Sequence, residues 1–287
     1  MRRKIHGARP IPRLRFGTGV TPGTRVLPEE VGVALTFNGT TQAVMMATPD
    51  NLIDFATGFA LTEGLAQPDE IESVEIVTTT RGLDVQIWVT GAAEHRLKER
   101  RRTMAGPVGC GLCGIDSLEQ ALRDLNPVTP SGFSMTPTQI KSAVAALPGQ
   151  QALHDATHAV HCAAWWTDVG GLAFAREDVG RHNALDKLAG GMVRASTHPT
   201  GSRVGCVLAR TPPRPGAILL TSRVSIDLVQ KVAALNVPMM IAVSAPTADA
   251  VSLADTLGIT LVARARPDSF EVFTHTDRIA PEAEHVR

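Results

Sequence analysis

Residues 217–263 read AILLTSRVSIDLVQKVAALNVPMMIAVSAPTADAVSLADTLGITLVA, and the rhythm of this stretch decides the fold. Ala217–Thr221 is a short apolar run of strand length, and Ile226–Leu235 has helical spacing. Met239–Val243 is apolar again, Ala248–Leu257 is a second helix stopped by Gly258, and Ile259–Ala263 is a third strand. Strand, helix, strand, helix, strand with short links predicts parallel pairing through right-handed crossovers. Phe270–Thr274 adds a final edge strand.

In an open parallel sheet, ligands bind beyond the carboxyl ends of the strands, where helix N-termini present free amide donors. Two of these ends carry suitable side chains, Ser222-Arg223-Val224-Ser225 and Ser244-Ala245-Pro246-Thr247. Hydroxyls beside an arginine suit a phosphate, and they equally suit ordinary helix caps. Further upstream, Glu177-Asp178-Val179-Gly180-Arg181-His182-Asn183-Ala184-Leu185-Asp186-Lys187 sets Asn183 with Lys187, and His182 with Asp186, four residues apart on shared helix faces. The run reads either as a polar rim for a guanine base or its phosphates, or as a surface helix with ion pairs. A glycine just before Arg181, at the helix start, favours the ligand. His158, His161 and Cys162 are read on a strand leading to Trp165 and Trp166, as core residues, and Cys206 likewise.

Towards the N-terminus, residues 1–25 are rich in Arg, Pro and Gly and read as a loose basic arm without periodicity. Val31–Phe37 predicts a strand turning at Asn38-Gly39. Thr48 as N-cap, Pro49 in the first helical position and Gly64 as the stop bracket a helix whose apolar face is Leu52, Phe55, Ala56, Phe59 and Ala60. Ile71–Thr79 and Leu83–Thr90 predict a hairpin with one buried face. The charged segment 94–102 leads into a glycine-rich stretch. A helix is expected over Ser117–Leu125, and another opens at the capping box Thr136-Pro137-Thr138-Gln139.

The 287 residues suffice for one large domain, or a large and a small one, and 44% are apolar. With 28 basic and 28 acidic residues the chain lacks the basic excess of a general nucleic-acid binder. No run approaches the ~18 apolar residues of a membrane span, and residues 5–16 lack a signal-peptide core, so the chain reads as cytoplasmic. The four cysteines are too few and too unevenly spaced for a disulfide scaffold, so they read as reduced thiols. There is no tyrosine, which removes that residue as acid, nucleophile or stacking platform.

Gly106-Pro107-Val108-Gly109-Cys110-Gly111-Leu112-Cys113-Gly114 carries the most chemical information. Half of a zinc site is one reading, but it needs a second ligand pair, and only His158, His161 and Cys162 are at hand, scattered. A dithiol redox centre is another, although such pairs usually sit at a helix N-terminus. Haem attachment and zinc deaminase chemistry fail on Gly114 and on the absence of an upstream His-x-Glu motif. Nucleophilic sulfur chemistry remains: a thiolate takes sulfane sulfur from a donor persulfide, and a second thiol helps to release it. The cationic run Arg100-Arg101-Arg102 would favour the thiolate and attract an anion, unless it is merely a solvated stretch.

Taken together, these motifs resemble the formate dehydrogenase accessory sulfurtransferases, the FdhD/NarQ family. The resemblance rests on residues 48–59 through Thr62-Glu63-Gly64, on Cys110-Gly111-Leu112-Cys113-Gly114, on residues 175–187, on 222–225 and 243–247, and on Phe270-Glu271-Val272-Phe273-Thr274-His275. It spans about residues 26–279, with the 1–16 arm outside it. The resemblance implies a three-layer α/β/α, cytidine-deaminase-like C-terminal domain over residues 131–287 and a smaller α+β N-terminal domain over 26–130. It implies a sulfurtransferase that accepts sulfur from a cysteine desulfurase as a persulfide on Cys110, with Cys113 as the second catalytic thiol. The sulfur then goes to the bis-molybdopterin guanine dinucleotide cofactor, bound as substrate, before insertion into the formate dehydrogenase catalytic subunit. Cofactor-binding candidates are Arg223, Ser225, Ser244, Thr247, Phe270, Glu271, Val272, Phe273, Thr274 and His275, with Arg181, His182, Asn183 and Lys187; no protein-bound metal is implied. The rival readings are a cofactor-binding chaperone without covalent chemistry and a zinc protein. The sequence does not set the oligomeric state, and a homodimer is compatible with it.

Overall fold

The computed structural model describes residues 6–102, 123, 125–197 and 215–282. The aperiodic arm expected over residues 1–25 is not what the structure shows from residue 8 onward: residues 8–28 form a two-stranded antiparallel ribbon, β1 (Ala8–Phe16) with β2 (Val20–Pro28), closed in register from Ala8↔Pro28 to Phe16↔Val20. Prolines and arginines at alternating positions disguise a period of two, because proline lacks strand propensity yet tolerates a ribbon edge.

Next come β3 (Val31–Phe37), β4 (Thr40–Ala47), the helix α1 (Leu52–Thr62), β5 (Ile71–Thr79), β6 (Gly82–Val89) and the helix α2 (Gly91–Arg102). The four strands make a mixed sheet in the order β4-β3-β6-β5, with β3 parallel to β6. Its inner face, Val33, Leu35, Phe37, Val85 and Ile87, is buried against Phe55, Ala56 and Ala60 of α1 and Leu97 of α2. The alternation expected in residues 83–89 is present, and Gly64 ends α1 with φ 66°. The start of α1 differs from the expectation. Thr48 does not cap it; the helix begins at Leu52 behind Asn51, which has φ 52°. Thr48 is withdrawn because its backbone is bonded elsewhere, as described below.

The remaining elements are α3 (Pro137–Ala146), α4 (Ala152–Thr157), β7 (His161–Thr167), β8 (Gly171–Asp178), α5 (Arg181–Thr197), β9 (Gly216–Leu220), α6 (Ile226–Ala234), β10 (Met239–Ala242), α7 (Ala248–Thr256), β11 (Thr260–Ala263) and β12 (Glu271–Val272). The expected capping box is formed at α3, with Thr136 accepting from the Gln139 amide. His158 is not on the strand expected for it; it closes α4 in a left-handed conformation. Of the helix expected over 117–125, only Arg123 and Leu125 are described, and neither is helical.

Strands β9, β10 and β11 pair in parallel, as the opening stretch requires, within a six-stranded sheet ordered β12-β11-β10-β9-β7-β8. The edge strand expected over Phe270–Thr274 is shorter than that, Glu271–Val272 alone pairing antiparallel to β11. Helices cover both faces. Trp165, Ile218, Leu220, Met240 and Leu261 pack with α5, α6 and α7, whereas Trp166, Ala217, Leu219, Met239 and Ile241 pack with α3. Adjacent tryptophans thus enter opposite cores, as a strand's alternation demands. The result is a mixed α/β protein with a three-layer α/β/α body.

The two sheets are joined through α1 and α5, whose backbones touch. A Cβ on Gly58 would stand 1.7 Å from the Asp186 carbonyl oxygen, and one on Gly190 would stand 1.9 Å from that of Asp54. Around this crossing, buried Asp54 takes ion pairs from Arg176 at 2.8 Å and Arg194 at 2.9 Å. Lys231 of α6 reaches Asp186 at 2.8 Å and Glu63 at 2.6 Å. Among the described residues no helix is long and apolar enough to cross a membrane.

A strand-edge candidate site

The pairing directions bring the singled-out segments to one edge of the six-stranded sheet. The carboxyl ends of β8, β9, β10 and β11 point the same way, and the start of β7 lies among them. The loops that leave these ends are stitched together by backbone bonds. Val224 N–H donates to the Ala245 carbonyl at 3.2 Å, Thr247 N–H to that of Val224 at 2.9 Å, and Arg264 N–H to that of Ser244 at 3.1 Å.

At the β10–β11 part of the edge lies a cleft of about 440 Å³ lined by Val243, Ser244, Ala245, Arg264, Arg266, Ser269, Phe270 and Glu271. That volume is within the usual range for small-molecule sites. Arg266 is anchored by Nη1 donating to the Val243 carbonyl at 2.6 Å. Arg264 holds a left-handed backbone, φ 48°, and its Nε meets Glu271 at 3.1 Å in an exposed pair. A bulky residue in that conformation carries strain, which proteins tend to store at ligand sites. Two cations, two serine hydroxyls and an aromatic ring suit a planar heterocycle bearing phosphate.

Ser244, Phe270 and Glu271 of the sequence candidates line this cleft, and Arg223 is exposed at the end of β9. Val272 pairs with Val262, and Phe273 is 39% exposed. Other candidates are taken up by the fold. Thr247 caps α7 by accepting from the Ala250 amide, and buried Thr274 donates to the Ile259 carbonyl at 2.6 Å. His275 Nε2 lies 2.9 Å from the Asp255 carbonyl oxygen and donates to it. Arg264, Arg266 and Ser269 were not among the candidates, although the sequence held the signal. The strand-end rule, applied to β9 and β10, applies equally to the Arg264-Ala265-Arg266 that follows β11.

The run 177–187 proves to be neither a solvated ion-paired face nor, as a whole, a ligand rim. Glu177 accepts from the Leu153 and His154 amides, each at 2.8 Å, at the start of α4. Asp178 accepts from Thr48 N–H at 3.0 Å, Gly180 N–H at 2.8 Å and Asn183 Nδ2 at 3.0 Å, and it pairs with Lys187 at 2.6 Å. Lys187, fully buried, also donates to the Thr48 carbonyl at 2.8 Å, and Asn183 donates to that of Met46 at 2.8 Å. Asn183 and Lys187 therefore clamp the β4–α1 turn to the β8–α5 turn, their polar atoms engaged by the protein's own backbone and Asp178. Burial pulls the Lys187 pKa down, and Asp178 opposes that pull. Arg181 and His182 remain at the edge. Arg181 Nε and Ser225 Oγ are buried without a hydrogen-bond partner, and His182 faces the Asp227 carboxylate.

Burial, with the nearby Arg181 and Lys231 charges, lowers the His182 pKa to about 4 against the opposing effect of Asp227. The unfolded chain takes up this proton near pH 6.5, whereas the folded one resists it until about pH 4. Stability is thus expected to fall as pH drops through that window, since the unfolded state binds more protons there. In urea titrations at pH 7 and pH 4.5, His182→Asn should lose less stability on acidification than the parent chain.

Cys162 is the one cysteine among the described residues. It is 1% exposed, and burial together with the Glu177 charge pushes its thiol pKa up, so it is an inert core residue, as expected. Cys110, Cys113 and Cys206 lie outside the described residues. Among the described residues no group of His, Cys, Asp and Glu is placed to hold a metal ion.

Fold and edge define the class: a three-layer α/β protein with a cationic cleft along the carboxyl edge of its parallel strands. The chain belongs to the FdhD/NarQ family, whose model matches residues 28–280. It is 48% identical over 267 residues to the sulfur carrier protein FdhD of Agrobacterium fabrum, covering 93% of each chain. It is 42% identical over 277 residues to the protein of that name from Bordetella bronchiseptica, covering 96% of this chain and 95% of the relative. In fold it is similar to a crystal structure described as a formate dehydrogenase accessory protein from Desulfotalea psychrophila. The TM-score is 0.71 at 23% identity, over 95% of this chain and 99% of the other.

Proposed function

We propose that this chain is a sulfur carrier in formate dehydrogenase maturation, loaded by a cysteine desulfurase and serving the bis-molybdopterin guanine dinucleotide cofactor as substrate. In the loading step the Cys110 thiolate attacks the terminal sulfur of the donor's persulfide. A new S–S bond forms at Cys110, the donor's S–S bond breaks, and the donor cysteine leaves as thiolate. Cys113, three residues further on in the sequence, supplies the second thiol, and a second thiol assists release. The guanine nucleotide of the cofactor occupies the cleft between Ser244, Arg264, Arg266 and Phe270, and the Arg181–Ser225 part of the edge extends that cationic surface. The observation that carries the nucleotide half of this reading is the cleft itself, and the name carried by the relatives supports the sulfur half.

Two measurements address the two halves in turn. After incubation with a cysteine desulfurase and cysteine, the intact mass should rise by one sulfur atom; Cys110→Ala should abolish the gain, and Cys162→Ala should leave it unchanged. With GDP as the probe, Arg266→Gln should weaken binding by about tenfold or more, the loss of a charge-assisted contact. Sulfur loading that survives Cys110→Ala refutes Cys110 as the carrier, whereas formate dehydrogenase activity supported in complementation by a chain lacking both Cys110 and Cys113 favours a chaperone without covalent chemistry. GDP binding indifferent to Arg266 refutes the cleft.

A further inference from the structure

The outer part of the β1–β2 ribbon stands clear of its own chain. Every residue from 12 to 25 is exposed, so both faces are open along that length. The register sorts the side chains by chemistry. One face runs from Pro10 and Pro12 through Leu14 and Phe16 to Val20 and Val26, and it holds no charged residue. The other face carries Arg9, Arg13, Arg15 and Arg25. Leu14, Phe16 and Val20, at the closed end, are 61%, 76% and 57% exposed. Among the described residues none of the four arginines has an ion-pair partner.

The charge of the whole chain is divided in the same way. Seven of its 28 basic residues and none of its 28 acidic ones lie in residues 1–28, which leaves 21 basic against 28 acidic residues in the remainder. A zero net charge therefore conceals a cationic ribbon on an acidic body. A lone two-stranded ribbon is marginal in water, and a contiguous exposed apolar face marks an interaction surface.

We propose that the ribbon is a peripheral membrane contact: it lies in the interface of an anionic lipid bilayer, apolar face down, with its arginines at the headgroup phosphates. An element with arginine on one face and leucine and phenylalanine on the other is the interfacial pattern, met here with a period of two instead of 3.6. An interfacial element sinks its apolar face ~5–10 Å, and a sheet is about 10 Å thick. The guanidinium groups of the upper face, on long flexible stems, thus stand at phosphate level. Four of the ten residues on the lower face are prolines, which removes edge N–H groups that a bilayer would leave unsatisfied. The double character selects the partner. An acidic protein surface would satisfy the arginines and leave Leu14, Phe16 and Val20 in water, and an apolar protein groove would do the reverse. A bilayer interface accepts both. Stable anchoring takes two such signals, and the ribbon supplies them together. The contact uses neither the thiols nor the nucleotide edge, so it stands or falls apart from the sulfur reading.

The test is co-flotation of the full chain with vesicles of phosphatidylcholine and phosphatidylglycerol at about 3:1, and with phosphatidylcholine alone. Binding to the anionic vesicles is expected at ~0.1 M salt and should weaken about tenfold or more at ~0.5 M. Arg13→Gln/Arg15→Gln should weaken it about twentyfold, near fivefold per arginine. Leu14→Ser/Phe16→Ser keeps every charge and should still weaken it about tenfold or more. Val44→Ser, an apolar position of the four-stranded sheet that is 63% exposed, is the control and should float like the parent. Far-UV circular dichroism should match the parent throughout, because all these side chains are exposed. Phe16→Trp should gain fluorescence quenching by lipids brominated in their acyl chains. A parent chain that does not float, equal binding to neutral vesicles, or undiminished flotation of Leu14→Ser/Phe16→Ser overturns the proposal. So does an arginine variant that floats normally but is no longer loaded with sulfur by a cysteine desulfurase in solution, which would make the ribbon the docking site of a protein.

Discussion

Replacing Gly190 by alanine is expected to lower the folding free energy by about 3 kcal/mol or more, the upper range for overpacking. The added methyl would lie 1.9 Å from the Asp54 carbonyl oxygen, 2.6 Å from its carbon and 2.7 Å from its Cα. All three are backbone atoms, so no side chain can rotate out of the way and α1 must move off α5. That movement pulls on Asp54, whose carboxylate is buried between Arg176 and Arg194. Alanine's helix propensity returns only about 1 kcal/mol. Gly58→Ala should behave alike, because its methyl would meet the Asp186 carbonyl oxygen at 1.7 Å. Gly91, at the start of α2, is the control: nothing lies within 4 Å of its added Cβ, so Gly91→Ala should be neutral or slightly stabilising. Urea unfolding midpoints of the three variants settle the comparison, and equal effects at Gly190 and Gly91 would refute the close crossing.

Lys187→Met should cost about 3–5 kcal/mol, the usual result of removing one partner from a buried ion pair. Asp178, fully buried, would keep its hydrogen bonds from Thr48, Gly180 and Asn183 but lose the charge that balances it. Removing the orphaned charge as well should recover part of that loss. Lys187→Met/Asp178→Asn is therefore expected to be less destabilised than the sum of its two single variants, by about 0.5–3 kcal/mol. The same variant separates a clamp from a ligand. Measured on folded Lys187→Met protein at low temperature, GDP affinity should stay within about twofold of the parent, whereas a direct phosphate contact would cost tenfold or more.

These two cases show where reading along the chain stops. The spacing of residues 177–187 marks the run as special, and a helix starting at Arg181 follows from it directly. What the polar side chains do depends on Met46, Thr48 and Thr62, more than a hundred residues away, and no local period reports that distance. Thr48 illustrates the same limit from the other side. Residue type and the following proline both favour a cap, but its backbone N–H and carbonyl are claimed by Asp178 and Lys187, so the helix starts later. The ribbon is a different kind of miss. Its alternation is present in the residues, but the prolines and arginines hide it until pairing shows which ones share a face.

By itself the sequence determined the parallel β9–β10–β11 core with its two helices, the hairpin of β5 with β6, the helices opening at residues 137 and 181, and two of the strand ends beside the cleft. These follow from periodicity, capping and the short links between elements, all of which are local. Only the tertiary structure decided which polar residues face that cleft and which are buried as clamps, and that two glycines let α1 and α5 touch. A buried charge requires its partner wherever in the chain that partner lies, and a missing side chain matters only when another backbone arrives to occupy the space.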